Sequence, residues 1–219
     1  MRSRRRTLVD EFLEKVEFYG QVLDAGGKKN DKRGVFRPPE DGVASWTYVN
    51  IDSRSEPDIL ADLQHLPIPN ATYDVVLLAE VLEHLEFPEA ALQELARVLR
   101  PGGKLVMTVP FLYAVHADPY DFQRWSPSKF IAVLSSLGFE DVSVTPMGGL
   151  ADVVSDLLNS ATGNSCSIRS VALRRIVKFG FAAPSRLVLK FISPMLNWVH
   201  QGSDINTGFF VQAVRQSSE

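Results

Sequence analysis

Acidic residues close four successive apolar stretches of this chain: Asp24 in VLDAGG, Asp52 in YVNID, Asp62 in ILADL and Glu80 in VVLLAEV. Asp52 can hold two ribose hydroxyls through its two oxygens, and Gly26 and Gly27, just after Asp24, let a ligand approach the backbone closely. One acid in such a place is an ordinary turn; four in this order mark a ligand-binding edge. Glu83 and His84 follow Glu80 at three and four residues' distance, and His116 follows the next apolar stretch. Histidine, with an ordinary pKa of about 6.5, suits proton removal near neutral pH. Glu80, Glu83 and His84 share one face if a helix starts early enough, and with His116 they carry donors for a divalent ion. A solvated acidic helix start explains the same spacing without an ion, so no metal is assigned.

These residues need a scaffold that brings strand ends together. Runs 21–26, 47–52, 73–81 and 101–111 read as strands, the last preceded by a Pro-Gly-Gly turn. The continuously apolar YDVVLLAEV suits a strand covered on both faces. Helices are expected over 85–100, with Pro88 in the first turn and Arg97 and Arg100 in the last, and over 126–139 behind a Ser-Pro start. Late strands fall at 140–147 and 208–216. Strands alternating with helices give an α/β layered sheet, whose ligands sit beyond the carboxyl ends of the strands. Two regions interrupt the alternation. Residues 28–46 hold Gly34, Pro38, Pro39 and Gly42 where a crossover helix is expected, and residues 148–207 form a helical insertion before the final strand.

With 219 residues, 45% hydrophobic and 22% charged, the chain suits one domain over 1–219. A basic start leads into a helix over 7–19 with Leu8, Phe12, Val16 and Tyr19 inward; no apolar signal segment follows it. The single Cys166 fits a reducing compartment, and no apolar run reaches membrane-spanning length, so a cytoplasmic protein is expected. Net charge is −3, and it divides into +6 between Asp156 and Asp204 and −9 elsewhere. The six basic residues are Arg169, Arg174, Arg175, Lys178, Arg186 and Lys190. Flanked by apolar residues, they suit a lid, a homodimer interface, or peripheral contact with an anionic inner membrane face through 165–200.

The segments VLDAGG, YVNID, DILADLQHLPIPNATYDVVLLAEVLEHL and ARVLRPGGKLVMTVP resemble the class I S-adenosylmethionine-dependent methyltransferases, over about residues 20–145 and the terminal strand. The resemblance implies a Rossmann-like, doubly wound, seven-stranded sheet, mostly parallel, with the last strand antiparallel. It implies S-adenosylmethionine as cofactor, with Asp24 and Gly26 near its methionine portion, Asp52 on the ribose, Asp62 and Leu63 at the adenine, and Ala79 near the amino group. Gly27 and Glu80 complete the expected cofactor set. The usual acid-x-Gly-x-Gly-x-Gly loop is altered here to DAGGKKN. Asn30 tolerates left-handed backbone, whereas Lys28 must turn away from a sulfonium. A remodelled but working loop is expected, and the glycine pattern of a nicotinamide site is absent.

His84 is the candidate base, and His116, Tyr120 and Arg124, on the HADPYDFQRWSP loop, are candidate acceptor contacts. The expected reaction is O-methylation of a small-molecule, sugar or lipid-linked acceptor. Glu80-x-x-Glu83-His84 also resembles the arrangement in small-RNA 3′-terminal 2′-O-methyltransferases and ubiquinone-pathway O-methyltransferases. A metal-assisted RNA 2′-O-methyltransferase is therefore one alternative, against which the acidic remainder and the lack of an RNA-binding module count. A non-catalytic scaffold with a lost cofactor site is the other.

Overall fold

The computed structural model describes residues 3–30, 34–116, 120–162 and 204–217, with positions 180, 184, 188, 191 and 195 between them. Seven strands form one sheet in the order β3-β2-β1-β4-β5-β7-β6. They are β1 Gly20–Ala25, β2 Val43–Asn50, β3 Ile59–Leu60, β4 Tyr73–Ala79, β5 Leu99–Pro110, β6 Phe139–Met147 and β7 Gly208–Arg215. The pairs β1–β2, β1–β4, β2–β3 and β4–β5 run parallel, while β7 pairs antiparallel with both β5 and β6. The reversal between β3-β2-β1 and β4-β5 puts the carboxyl ends of β1 and β4 side by side, where ligands bind in open α/β sheets.

Side-chain alternation along the strands divides the core into two layers. Val22, Val75, Leu77 and Val106 face one layer with Val9 and Leu13 of helix α1 (Arg4–Leu13). Leu23, Val76, Leu78, Leu105 and Met107 face the other, beneath α2 (Pro88–Val98) and α3 (Pro127–Ser136). Helix α4, Leu150–Thr162, carries Asp152, which accepts from Arg4 Nε of α1 at 3.0 Å.

Several boundaries differ from expectation, each for a local reason. The first helix covers 4–13 rather than 7–19, because the Ser3 side chain caps it by accepting from Arg6 N. Past Leu13 the backbone tightens into bonds from Lys15 N to Phe12 O and from Val16 N to Leu13 O. The helix expected over 85–100 starts at Pro88 and ends at Val98, so Arg100 belongs to β5 and pairs with Asp74. In β5 the partner register jumps from Tyr73–Leu99 to Val75–Lys104, so the Pro-Gly-Gly turn survives as an irregularity inside the strand. Described residues between β1 and β2 contain no helix; the buried Asp10 of α1 accepts from Val35 N and Phe36 N there instead. Among the described residues no helix is long and apolar enough to cross a membrane. The six basic residues of the insertion, and Cys166, lie outside the described residues.

Candidate functional site

A cleft of about 1030 Å³ opens over the carboxyl ends of β1, β2 and β4. That is at the upper end of the ~300–1,000 Å³ usual for small-molecule sites, with room for a cofactor and an acceptor together. All eight residues expected to hold the cofactor line it: Asp24, Gly26, Gly27, Asp52, Asp62, Leu63, Ala79 and Glu80. His84, His116 and Tyr120 line the same cleft, so candidate base and acceptor residues share it with the cofactor set.

The floor after β1 is built for close backbone approach. Gly26 has φ of +79°, and a Cβ there would lie 2.6 Å from Val81; a Cβ on Gly27 would lie 2.3 Å from the Asp24 carboxylate. Only glycine meets both demands at position 26. Two residues not singled out in the sequence hold this turn. Trp46 Nε1 donates to Asp24 Oδ2 at 3.3 Å, and Asn50 Nδ2 donates to the Gly26 and Gly27 carbonyls at 2.9 and 3.0 Å. Asn30 Nδ2 donates to Glu56 Oε2. Lys28 does not turn fully away: it lines the cleft, and its charge helps hold Asp52 ionised.

Asp52 caps a short 3₁₀ turn, Ser53–Ser55, and accepts from the backbone and guanidinium of Arg54, which hold its pKa below the usual carboxylate range. Arg54 lines the cleft too, so a ligand reaching Asp52 competes with this bidentate pair. An acid and an arginine two residues apart at a strand end is the sequence signal for that competition. Asp62 turns on itself, accepting from Gln64 N at 2.9 Å, and presents Leu63 as an apolar wall.

Glu80 departs most from expectation. It has φ of +57°, a left-handed value that breaks any helix running from residue 80 to 84, and residues 82–84 form a single 3₁₀ turn. Glu80, Glu83 and His84 therefore do not share a helical face. Glu80 instead meets Arg5, which donates from Nε to Oε2 at 2.8 Å and from Nη2 to Oε1. Arg5 is 2% exposed and also donates from Nη1 to the Thr207 carbonyl at 3.0 Å. Burial opposes ionisation of Glu80, but the Arg5 guanidinium outweighs it and lowers the pKa. Arg5 left no local trace in the sequence, where it reads as one more residue of a basic start.

Glu83 is left apart from this pair. It is 0% exposed, and burial, then the neighbouring Glu80 charge, pushes its pKa up to about 8. His84 Nδ1 faces the Tyr120 carbonyl, and His116 Nδ1 faces the Ala114 carbonyl at 3.2 Å. Burial lowers the His116 pKa. Arg124 is not in the cleft lining; it forms a fork with Asp121, whose Oδ2 also accepts from His116 N. Its effect on the site is to hold the loop that carries His116.

Asp156 of α4 is 2% exposed, with the backbone of Arg4 and Arg5 at the start of α1 near its carboxyl. Burial pushes its pKa up to about 6, with nearby Arg5 pulling the other way. A carboxyl held protonated by the fold adds stability below its unfolded pKa of about 3.9 and loses it as pH rises through the folded value. Asp156→Asn is expected to be more stable than the wild type at pH 8 by about 1–3 kcal/mol, with the difference vanishing near pH 4. Denaturant unfolding at the two pH values checks this, and an equal difference at both would refute it.

Comparison with known proteins agrees with this architecture. A family profile described as "Methyltransferase domain" matches residues 44–107. The ubiquinone/menaquinone biosynthesis C-methyltransferase UbiE of Ralstonia pickettii is 43% identical over 51 residues, 23% of this chain and 21% of that one. The malonyl-[acyl-carrier protein] O-methyltransferase of Hahella chejuensis is 35% identical over 65 residues, 30% of this chain and 23% of that one. The chain thus aligns with under a quarter of the length of either relative. In fold, a SAM dependent methyltransferase from Archaeoglobus fulgidus superimposes with a TM-score of 0.57 at 16% identity, covering 96% of this chain and 93% of the other. The [4+2]-cyclase SpnF gives 0.56 at 16% identity, covering 97% and 82%. The central part of the chain, residues 44–107, is thus similar in sequence to a methyltransferase domain, and the chain shares its fold with solved S-adenosylmethionine-dependent methyltransferases.

Proposed function

We propose that the protein moves a methyl group from S-adenosylmethionine to a hydroxyl of a small-molecule, sugar or lipid-linked acceptor. The observation that carries this reading is the convergence of the eight expected cofactor residues on one cleft that also holds His84, His116 and Tyr120. The residues fit such a cofactor. Gly26 and Gly27 leave space that a Cβ would fill, and Asp24 and Asp52 supply carboxylates suited to an ammonium and a pair of hydroxyls. When bound, S-adenosylmethionine supplies an electrophilic methyl on a sulfonium, and positioning then dominates the rate.

The chain's own groups do the rest. Asn50 and Trp46 fix the turn that receives the cofactor. The Tyr120 carbonyl accepts from His84 Nδ1–H, which leaves Nε2 as the atom able to take a proton from an acceptor hydroxyl. Exposed Tyr120 and Phe122, with ring centroids 5.5 Å apart, give the mouth an apolar lip suited to an acceptor with a hydrophobic portion. The +6 segment before β7 favours acidic or membrane-held acceptors at the cytoplasmic face.

Calorimetric titration with S-adenosylhomocysteine, followed by product release from S-adenosylmethionine across a panel of sugar and lipid hydroxyls, tests this. Micromolar binding and turnover with a hydroxylated acceptor are expected. Absence of binding by folded protein would leave the scaffold reading, with Lys28 as the mark of a lost site.

A further inference from the structure

Methyl transfer by positioning alone leaves one group of side chains unexplained. Glu83, His84 and His116 each offer a ligand atom within 4.8 Å of the other two. Glu83 is wholly buried, and neither oxygen has a hydrogen bond among the described residues. An interior carboxylate left without partners is costly, and native structures rarely keep one without a use. Its Oε1 lies 3.7 Å from His84 Nε2 and 3.9 Å from His116 Nε2.

The ring hydrogens are committed elsewhere. A carbonyl only accepts, so His84 Nδ1 carries its hydrogen toward Tyr120 O, and His116 Nδ1 carries its own toward Ala114 O. Asp121 Oδ2, 3.4 Å from His116 Nδ1, reinforces that tautomer. Each neutral ring then presents a lone pair at Nε2. The two lone pairs and the Glu83 carboxyl group converge at separations too long for a hydrogen bond. Atoms bound about 2.0–2.2 Å from one ion lie roughly 3–4 Å apart, and imidazoles whose far nitrogen donates to a carbonyl are the usual form of metal-ligating histidine.

We propose that Glu83, His84 and His116 form a divalent transition-metal site at the acceptor end of the cleft, with Glu80 excluded from it. Glu80 is excluded because its left-handed backbone delivers it to Arg5, so the set has three donors rather than the four aligned in the sequence. Two imidazoles and one carboxylate suit zinc, manganese, iron or cobalt better than magnesium or calcium, which prefer all-oxygen sites. The vacant coordination positions would take the acceptor hydroxyl and lower its pKa. His84 Nε2 then serves as ligand, and the metal replaces it in activating the hydroxyl. The acceptor role rests on the proposed methyl transfer; ion binding does not.

Metal-free full-length protein without an affinity tag is titrated with Co²⁺, followed by visible absorption, with Zn²⁺ in competition and Mg²⁺ as comparison. One equivalent is expected to bind. Affinity should fall by more than the ~10–100-fold typical of outer-shell changes in both Glu83→Gln and His116→Ala, while Glu80→Gln changes it by less. His116 sits on a partly exposed loop, so its variant stays informative if the buried Glu83→Gln fails to fold. Absence of Co²⁺ binding at millimolar concentration, binding indifferent to both substitutions, or a preference for Mg²⁺ would each overturn the site. S-adenosylhomocysteine titrated into the same samples separates the two readings: its binding without metal refutes the ion alone, and metal without it refutes the cofactor alone.

Discussion

Arg5→Ala is expected to destabilise the protein by about 3–5 kcal/mol, the usual cost of removing one partner from a buried ion pair. Two contributions point the same way. Glu80 would remain largely enclosed with its charge uncompensated, and the Thr207 carbonyl at the start of β7 would lose its donor. For a chain of this size the melting temperature should fall by about 6–20 °C. Arg5→Lys should recover little, since an ammonium cannot reproduce the two-pronged contact with both carboxylate oxygens. Calorimetric unfolding of Arg5→Ala, Glu80→Gln and the double variant measures the coupling. A coupling near zero would mean that solvent already screens the pair. Loss of the pair should also loosen α1 from the cleft, because the same helix contributes Asp10 to hold residues 35 and 36.

The second large effect is on cofactor affinity. Asp52→Ala should weaken S-adenosylhomocysteine binding by at least ~10²-fold, as two hydrogen bonds to a charged acceptor are lost. Arg54→Ala should act oppositely and modestly, since it frees the Asp52 oxygens from the guanidinium that holds them. Calorimetric titration of both variants decides the matter. Unchanged affinity in Asp52→Ala would remove this residue from the site, and tighter binding in that variant would mean that its charge repels the ligand. The opposed signs distinguish competition from a general loss of folding, which would weaken both.

The sequence exposed whatever follows from short-range pattern. Apolar runs ending in Asp24 and Ala79-Glu80 marked β1 and β4, because a strand buried on both faces must be continuously apolar and its polar residues collect at its end; the run expected over 47–52 caught only the buried end of β2, which starts at Val43 with partly exposed residues and stops at Asn50, before Asp52. Those ends meet in one cleft because the sheet order makes β1 and β4 neighbours. What the pattern hid depends on backbone sign or on long separation. A glutamate with positive φ looks like any other glutamate, so the face shared by residues 80, 83 and 84 failed at Glu80. Arg5 and Glu80 stand 75 residues apart, and nothing near either announces the other. The three arginines after Ser3 read as a basic tail, although helix formation there needs only the Ser3 hydroxyl and the buried Leu8, Val9 and Leu13.

The antiparallel pair at the sheet edge also has an architectural consequence. Met147 of β6 lies opposite Gly208 of β7, and Thr207 N donates to the Met147 carbonyl at 3.0 Å. The sixty or so residues between them thus leave and re-enter the sheet at one doorstep, as an oversized hairpin would. Closing so long a loop instead of a tight turn costs only about 2–3 kcal/mol, since the penalty grows with the logarithm of length. The strand register is set by the pairing itself and not by what hangs from it. Beyond α4, which is tied to α1 through Asp152 and Arg4, the chain before β7 can therefore lengthen, shrink or be exchanged in evolution while the sheet stays the same, as a detachable cassette on a fixed chassis.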